Sequence, residues 1–488
     1  MSDPLIQARL DKLASLRERG IDPYPTRVPE VVRIGAVLDE AADLEPEEHS
    51  GRTVTVAGRL IAFRKMGRAS FFDLRDGTGK IQVHATRDAL GEDAYGILCE
   101  SDIGDFLAIT GEVFRTKRGE LSVAAQDWTF LSKAIRPLPE KWHGLKDAEI
   151  RNRHRSLDLI SNEEARETFV KRSRILSTLR RTLDGLGFYE VETPVLQPVA
   201  SGGHACPFDT HHNALDADMY LRIALELYLK RIMIGGIDRV YEMGKCFRNE
   251  GVSTEHNPEF TMLEIYQAYT DFEGMMRLVE TLFTESLQAA NGSLEVEFQG
   301  RRIDFTPPWT RIGMVDAVAE ATGMTPTELR TERAIDRALR DGIDPRPATP
   351  GDAIAALFDR FVEETLVQPT FVTDYPIEIS PLAKRTPTDD GLVERFELFV
   401  SGMELANAFT ELNDPIDQRA RFVDQQRLRT QGDEEAMAFD EDFLYAVEHG
   451  MPPAGGVGIG VDRLVMLCTG NASIRDVILF PALRRKAT

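Results

Sequence analysis

A change in the spacing of apolar residues near residue 52 constrains the fold of this chain more than any other feature of its sequence. Before it, leucines recur at roughly helical intervals within residues 4–19, and Gly20 follows as a stop signal. After it, apolar and polar residues alternate, which is the period of half-buried strands. We therefore predict an N-terminal amphipathic helix and, behind it, a region built of strands.

The strand candidates follow one another between residues 54 and 133. They are VTVAGRLIAF, ASFFDLRD, KIQVHATR, FLAITGEVFRT and ELSVAAQDWTFLSK. Residues 76–79 (DGTG) supply a hairpin turn between the second and the third, and residues 88–102 can hold one helix after the third. Five short strands with a helix after the third form the element order of an oligonucleotide-binding (OB) β-barrel. We place this domain at residues 1–143 and a linker at residues 144–160.

The remaining residues, 161–488, predict an α+β domain. Apolar residues recur at three- and four-residue steps over residues 161–186, and Ser161 with Glu164 predicts a capping box at the start of that helix. Downstream, strands and helices alternate without the regular repeat of a parallel nucleotide-binding sheet, which favours an antiparallel sheet. Residues 310–370 have a helical pattern and no reactive residues that stand out, so we expect an inserted packing element there.

Composition narrows the function classes. The chain has 58 Lys and Arg against 80 Asp and Glu, a net charge of −22, which argues against coating nucleic acid by bulk charge but leaves room for a local basic face. Its four cysteines are far apart, so reduced thiols are expected. No signal core and no stretch of about 18 uncharged apolar residues stands out, which predicts a cytoplasmic protein without a membrane helix.

Residues 247–269 (FRNEGVSTEHNPEFTMLEIYQAY) are the densest candidate site. They predict two strands, with Arg248 and Glu250 on one face of the first and with Phe260, Glu264 and Tyr266 on one face of the second. An aromatic floor beside a carboxylate suits a base and an amine. The alternative is a salt-bridged hairpin in which Arg248 pairs with Glu250 or Glu264.

Residues 455–467 (GGVGIGVDRLVML) join a glycine-rich strand to a helix whose first turn holds Arg463. Glycines there would let a flat ring lie against the backbone, and Arg463 would reach a phosphate. The alternative is a tight turn with a surface arginine.

Carboxylates interrupt apolar segments at Glu397, Glu404 and Glu411, and again at Glu226. A carboxylate among apolar residues is costly without a partner. A divalent metal, a substrate ammonium or an arginine would each supply that partner. The alternative is a surface hairpin whose acids point outwards.

Together these segments resemble those of the class II aminoacyl-tRNA synthetases, and in particular the lysine enzymes. The resemblance extends from residue 1 to residue 485 and is carried by HGLKDAEIRNRHRSLDLISN, THHNALDADMYLRIALELYLKR, CFRNEGVSTEHNPEFTMLE, FELFVSGMELANAFTELNDP and GVGIGVDRLVMLCTGNASIRDVILFP. It implies ATP-dependent activation of L-lysine to lysyl-adenylate and transfer to tRNA(Lys). It also implies a homodimer, formed through the helix of residues 161–186 and the strand that stops at Pro194.

The resemblance implies an ATP site with Mg²⁺. Arg248 and Arg463 are its catalytic residues, the first gripping the α-phosphate and the lysine carboxylate, the second binding the γ-phosphate and covering the adenine. The other implied ATP contacts are Glu250, His256, Gly460 and Phe260, which stacks on the adenine. Glu397 and Glu404 are the implied magnesium ligands, because phosphate oxygens and waters complete the octahedron.

The resemblance also implies a lysine pocket and an anticodon site. The lysine-binding residues are Gly202 and Glu226 at the α-amino group, Asn407 near the carboxylate, Phe409 along the stem, and Glu264, Tyr266 and Glu411 around the ε-ammonium. Two carboxylates and a phenol around one ammonium favour lysine over aspartate or asparagine. In the barrel, Phe71, Gln82 and Glu120 match positions that read the uridine-rich anticodon by stacking and hydrogen bonding.

The sequence departs from the usual lysine pattern at His204, Cys206, Met403 and Ala408, where the family carries a small residue, a basic residue, arginine and glycine. Three interpretations stay open: ordinary drift, a duplicate insensitive to a pocket inhibitor, and a paralogue with a shifted substrate such as β-lysine. Two rivals are disfavoured. A relative that lysylates a protein would lack the barrel, and a non-catalytic RNA-binding protein would have lost Arg248, Arg463 or the paired glutamates.

Overall fold

A computed structural model of the chain describes residues 3–139, 145–200, 202–203, 205–430 and 436–484. It divides into two compact units, Met1–Leu145 and Lys146–Thr488. The boundary predicted between residues 143 and 144 lies outside the described residues. None of the described helices combines the length and the apolar composition that crossing a membrane requires.

The first unit is a β-barrel with helices around it. Its helices are α1 (Pro4–Glu18), α2 (Ile34–Glu40), α3 (Arg87–Leu90) and α4 (Glu92–Leu98), and its strands are β1 (His49–Met66), β2 (Ala69–Arg75), β3 (Lys80–Thr86), β4 (Phe106–Arg115) and β5 (Leu121–Ser132). The strands close in the order β1-β2-β3-β5-β4, as an OB fold requires. Where one helix was predicted after β3, two short helices lie on either side of Gly91, whose φ of +81° breaks the helical path.

The second unit mixes helices and strands. Its helices are α5 (Ala148–Arg153), α6 (Arg155–Ser161), α7 (Glu163–Gly185), α8 (Glu226–Ile234), α9 (Phe272–Asn291), α10 (Met314–Thr322), α11 (Pro326–Leu329), α12 (Glu332–Arg340), α13 (Pro350–Phe361), α14 (Pro415–Thr430), α15 (Glu441–Val447), α16 (Val461–Thr469) and α17 (Ile474–Val477). Its strands are β6 (Tyr189–Glu190), β7 (Leu196–Gln197), β8 (Asp209–His212), β9 (Ala217–Leu221), β10 (Arg239–Phe247), β11 (Glu259–Ala268), β12 (Glu295–Phe298), β13 (Arg301–Asp304), β14 (Thr310–Gly313), β15 (Thr370–Pro376), β16 (Leu392–Val400), β17 (Met403–Thr410) and β18 (Ala454–Gly460).

The central sheet of this unit has the order β14-β15-β16-β17-β18-β11-β10-β6 among the described residues. The six inner strands, from β15 through β16, β17, β18 and β11 to β10, pair antiparallel with one another. The edge strands pair parallel, β14 with β15 and β6 with β10. The α+β class with an antiparallel-rich sheet is therefore confirmed. The largest apolar core lies between one face of this sheet and helices α7, α9 and α16. Helices α10 to α13 follow β14 and form a separate apolar cluster.

The predicted capping box at the start of α7 is wrong. Ser161 is the last residue of α6, and Asn162 occupies the N-cap position of α7 without a side-chain capping bond. The amide of Asn162 instead donates to Asp158 at 2.5 Å. Local spacing suggested one helix start, but the preceding helix α6 takes up the residue that would have capped it.

Candidate active site

The strand register of the central sheet aligns polar residues from four strands in two rows. The first row is Glu264 of β11, Gly458 of β18, Asn407 of β17 and Glu397 of β16. The second row is Tyr266, Gly456, Phe409 and Arg395 of the same strands. The residues between them, such as Ile265, Ala408 and Phe396, belong to the core under α7, α9 and α16. Because side chains alternate between faces, both rows project from the opposite face.

These rows form a wall of a cavity of about 410 Å³. Of the residues predicted for ATP, lysine or metal binding, those that line it are Gly202, Glu226, Arg248, Glu250, His256, Phe260, Glu264, Tyr266, Glu397, Glu404, Asn407, Phe409, Gly460 and Arg463. Glu411 is fully buried and does not line the cavity. Segments that are far apart in the chain therefore meet at one site.

The prediction that Arg248 lies on a strand is wrong. Arg248 lies in the loop after β10, which ends at Phe247. The backbone N–H of Asn249 donates to the carbonyl of Cys206 at 2.8 Å, which diverts the chain from its partner strand. Arg248 forms no ion pair with Glu250 or Glu264, which are both described, and the ion pair of this hairpin joins Lys245 to Glu259 (3.6 Å), so the salt-bridged alternative for Arg248 is wrong. The Arg248 guanidinium lies 5.1 Å from the centre of the Phe260 ring, and its Nε has no hydrogen-bond partner among the described residues. It is available to an anionic ligand.

Arg463 is the third residue of α16, as predicted, and it is not a surface arginine. Its Nη1 donates to the backbone carbonyl of Glu404 at 2.6 Å, and its Nη2 lies 3.3 Å from Nε2 of His256. The His256 ring is held from its other side by Ser253 Oγ, 3.0 Å from Nδ1. The cavity thus has a second guanidinium whose direction is set by two neighbours.

Glu264 is held by protein donors at both oxygens. Its Oε1 accepts from the backbone N–H of Leu225 at 2.9 Å, and its Oε2 accepts from the Tyr266 hydroxyl at 3.0 Å. Burial, with a contribution from Glu226, raises the pKa of Glu264 to about 7. A carboxylate in this state gains from a cationic ligand.

The glycines of β18 leave room for the side chains that pack against this strand. A Cβ added at Gly456 would lie 2.1 Å from Glu411 Oε1 and 2.4 Å from Tyr266 Cε1. At Gly456 the flat ring that lies against this backbone belongs to Tyr266 of the protein itself. Only glycine leaves room for that ring and for the carboxylate in this row.

Lys230 was not anticipated from the sequence. Its side chain is fully buried one helical turn after Glu226, and its Nζ forms ion pairs with Glu226 Oε1 (2.5 Å) and with Glu411 Oε2. Its ammonium also lies 5.1 Å from the centre of the Phe409 ring. The signal that was available is the four-residue spacing of a glutamate and a lysine on one helix.

A second group of carboxylates surrounds Glu397 and Glu404. Glu397 accepts from the Tyr375 hydroxyl at 2.8 Å and from Arg395 at 2.5 Å. Burial raises the pKa of Glu397 to about 7, and burial with Glu404 nearby raises the pKa of Asp359 to about 6. Within the described ranges, no three His, Cys, Asp or Glu side chains converge closely enough to hold a metal ion by themselves. The accumulated negative charge fits a divalent cation that draws its remaining ligands from phosphate and water.

Arg395 is a further cavity residue that was missed, although its position two residues before Glu397 on β16 was a usable signal. Its guanidinium donates to Asn407 Oδ1 at 3.1 Å and to the Ile379 carbonyl at 2.9 Å, and it lies 4.4 Å from the centre of the Tyr375 ring. It therefore orients both Asn407 and Glu397 towards the cavity.

Three of the four positions that depart from the lysine pattern are described by the structure, and they do not line the cavity. Met403 and Ala408 are buried in the core between the sheet and its helices, and Cys206 is half-buried. None of these three lines the cavity, and His204 lies outside the described residues. Ala408 alternates with Asn407 and Phe409, so its side chain points to the opposite face of β17.

In the barrel unit, none of the three residues predicted to read nucleic acid is buried. Phe71 of β2 stacks on His84 of β3, with ring centres 4.6 Å apart and planes 16° apart. Gln82 lies on the same side of β3, where its Oε1 accepts from Ser122 at 3.1 Å. Glu120 is exposed just before β5, in the turn that follows β4. Phe71 is therefore not a core residue, which is the usual role of a phenylalanine in a strand.

Comparisons with known proteins agree with this architecture. Residues 147–484 match the family described as tRNA synthetases class II (D, K and N), and residues 54–131 match the OB-fold nucleic acid binding domain. One similar protein is the lysine–tRNA ligase of Syntrophomonas wolfei, 51% identical over 486 residues, with 99% of this chain and 98% of that protein covered. The lysine–tRNA ligases of Thermoanaerobacter pseudethanolicus (52% over 484 residues; 99% and 96% covered) and Bacillus subtilis (49% over 485 residues; 99% and 97%) are also similar. With matches of this extent, the chain belongs to the class II tRNA synthetases of the D, K and N group.

Proposed function

We infer that the protein is a lysine–tRNA ligase, which activates L-lysine with ATP and transfers it to tRNA(Lys). The observation that carries this inference is the charge layout of one cavity. Arg248 has no carboxylate partner there among the described residues, while Glu226 and Glu264 present buried carboxyl groups. A substrate with one carboxylate and two ammonium groups complements that layout. Relatives about 50% identical over the whole chain carry the same name.

The first proposed step is attack of a lysine carboxylate oxygen on the α-phosphorus of ATP, with release of pyrophosphate. Arg248 binds both reacting groups and offsets the charge that builds up on the phosphoryl oxygens. Phe260 offers its ring to the adenine, and Arg463 with His256 binds the outer phosphates. In the second step, a terminal ribose hydroxyl of the tRNA attacks the carbonyl carbon and AMP leaves.

Mg²⁺ is the proposed metal, with Glu397 and Glu404 as its protein ligands. Bound there, it neutralises phosphate charge. Asp359 and Glu397, whose pKa values are raised, lie in the same negative field and support a cation at this place. Two protein carboxylates suffice because magnesium keeps several waters and takes substrate phosphates as ligands.

Lysine selectivity is assigned to the buried carboxylates of the cavity. Glu226 takes the α-ammonium, and Glu264 with Tyr266 and Glu411 takes the ε-ammonium beside the Phe409 ring. An amino acid without the terminal amine would leave buried charge unpaired, which commonly costs a factor on the order of 10⁴. Ordinary drift accounts for Met403 and Ala408, because both lie in the core and away from the cavity wall.

Anticodon reading is assigned to Phe71, Gln82 and Glu120 on the outer face of the barrel. Phe71 is partly exposed and already stacked on His84, so one side of an aromatic platform is preformed. Unstacked loop bases bind to such platforms and offer their edges to hydrogen-bonding side chains. The cytoplasm, where ATP and tRNA meet, is the proposed location.

A homodimer is proposed at the β6 edge of the central sheet. Tyr189 of that edge strand and the nearby Leu186, Val195 and Leu196 are exposed although apolar. Exposed apolar side chains beside an open strand edge suit a two-fold interface. Sedimentation of the protein should give twice the chain mass. Replacing Tyr189 and Leu196 with Asp should give a single chain, whereas a dimer unchanged by both replacements would remove this surface from the interface.

The test of the function is lysine-dependent exchange of pyrophosphate into ATP, followed by charging of tRNA(Lys). We expect exchange with L-lysine and none with L-aspartate or L-asparagine. Exchange that requires another amine-bearing acid and ignores lysine would overturn the substrate assignment. Exchange with lysine but no charging would confine the proposal to the first step.

A further inference from the structure

Lys230 lies immediately behind the amine pocket, which is the part of the cavity lined by Glu226, Glu264, Tyr266 and Phe409, and it is not itself a lining residue. Its ammonium is enclosed by carboxylates from two elements, Glu226 of α8 and Glu411 after β17. The aromatic rings of Tyr266, Phe409 and Phe443 lie 6.0, 5.1 and 5.9 Å from its Nζ. A buried charge persists only where such partners neutralise it.

The carboxylate oxygens around Lys230 differ in whether a protein group donates to them. Glu226 offers Oε1 to Lys230, and Glu411 offers Oε2. The remaining oxygen of Glu411, Oε1, is buried and has no hydrogen-bond partner among the described residues. Glu264, in contrast, has protein donors at both of its oxygens. Gly456 lines the cavity, and a Cβ added there would lie 2.1 Å from this oxygen, so the donor that it lacks is one that a ligand in the cavity can supply.

The charges of this cluster also match the ligand. Glu226, Glu264 and Glu411 together carry three negative charges when ionised, and Lys230 carries one positive charge. The remainder is two negative charges, which equals the two ammonium groups of lysine. Without Lys230, the pocket would hold one negative charge too many for its substrate.

We propose that Lys230 is a positioning and charge-matching residue of the amine pocket, which ties back one oxygen each of Glu226 and Glu411 and sets the pocket's charge to that of lysine's two ammonium groups. This proposal rests on the proposed function. Lys230 does not touch the substrate. It acts through the two carboxylates.

The charge of Lys230 affects the pKa values of the carboxyl groups around it. The groups that face this cluster are Lys230 itself, the three carboxylates Glu226, Glu264 and Glu411, the Tyr266 hydroxyl and the Cys246 thiol. Burial raises the pKa of Glu411 to about 8 and that of Glu264 to about 7, and Lys230 lowers both against that effect. Burial alone would lower the pKa of Lys230, but Glu226 and Glu411 outweigh it and raise that pKa, so Lys230 stays charged. Removing Lys230 therefore raises the pKa of both carboxylates further.

The experiment compares Lys230→Met with the wild type in lysine-dependent pyrophosphate exchange between pH 6 and pH 9.5. The acid side of the kcat/KM profile for lysine should move to higher pH by about one unit or more, since an opposite charge at contact shifts a carboxyl pKa by roughly that amount. KM for lysine should rise about tenfold at pH 7, while KM for ATP stays within about twofold.

A matched control is Lys133→Met in the barrel unit. Lys133 is likewise buried and contacts Asp102 (2.5 Å) and Asp105 (3.0 Å), but it lies outside the pocket. This variant should lose stability without moving the pH profile. A purely structural role for Lys230 would lower its activity in the same manner, with the midpoint unchanged, and that result would overturn the proposal.

A charge-restoring variant covers the case in which Lys230→Met does not fold. Lys230→Met with Glu411→Gln returns the pocket to two negative charges, whereas Glu411→Gln alone leaves one. We expect the acid midpoint of the double variant to lie above that of Glu411→Gln and close to the wild type. Coinciding midpoints would overturn the proposal. Failure of the wild type to use lysine would instead overturn the proposed function.

Discussion

At the scale of single residues, the candidate site contains buried charged groups that lack a hydrogen-bond partner among the described residues. Arg248 lies against the Phe260 ring with Nε unpaired among the described residues, and Glu411 keeps one oxygen without a donor. Leaving such groups unsatisfied costs folding free energy, on the order of 1–3 kcal/mol each. Ligand groups that complete these contacts recover that free energy on binding.

Replacing Arg248 with Ala should lower kcat/KM for pyrophosphate exchange by about 10² to 10³-fold or more, because the α-phosphate loses its guanidinium. Arg333→Ala is the control, since Arg333 is exposed on α12 and paired with Glu328. Size-exclusion chromatography should show the same assembly for both variants. Full exchange activity in Arg248→Ala would refute this site map.

Replacing Gly456 with Ala should raise KM for lysine by at least about tenfold, or roughly 1.4 kcal/mol. The added methyl group would overlap Glu411 Oε1 and the Tyr266 ring, so the amine pocket must deform. Gly185→Ala is the control, because a Cβ at Gly185 meets open space. Steady-state exchange kinetics measure both, and an unchanged KM in Gly456→Ala would show that this row does not shape the pocket.

At the scale of elements, the register of the sheet aligns alternate residues of neighbouring strands on one face, where they form a wall of the cavity. The alternation predicted for β11 is confirmed, since Phe260, Glu264 and Tyr266 line the cavity while Leu263 lies in the core. The expectation that Arg248 belongs to a strand is wrong, because a backbone bond from Asn249 to Cys206 diverts the chain first. Strand ends depend on distant partners that a local pattern does not contain.

Phe71 on the outer face of the barrel is the residue proposed to stack on an anticodon base. Phe71→Ala should raise KM for tRNA(Lys) about 5- to 100-fold, because a stacked base is worth roughly 1–3 kcal/mol. Pyrophosphate exchange with lysine should be unchanged in the same variant, since exchange needs no tRNA. Equal losses in charging and in exchange would contradict the division of labour between the two units.

At the scale of the whole molecule, the buried carboxylates couple stability to pH. Glu264 and Glu411 keep their protons up to about pH 7 and 8 in the folded protein, but lose them near pH 4.5 when it unfolds. In that window the folded state binds more protons than the unfolded state, so the free energy of unfolding falls as pH rises. Each group contributes up to about 1.4 kcal/mol per pH unit.

Lysine should therefore stabilise the protein more at pH 8 than at pH 6. At pH 6 its ammonium groups must first displace protons from Glu264 and Glu411, whereas near pH 8 a larger fraction of both carboxylates is ionised. Thermal unfolding with and without saturating lysine measures the difference at each pH. The same increase in Tm at both values would mean that these carboxylates do not bind the ammonium groups.

The sequence by itself determined the two-part organisation, the barrel order and the antiparallel sheet, because periodicity and motif spacing are local properties of a chain. Its resemblance to the class II synthetases added fourteen residues that line the cavity. Only the tertiary structure decided how those residues are partnered. In the folded protein Tyr266 packs against Gly456, and Arg395 donates hydrogen bonds to Asn407 and Glu397. Lys230 is buried between Glu226 and Glu411. These pairings join residues that are as far apart in the chain as Tyr266 and Gly456, and only the register of the folded sheet brings such residues into contact.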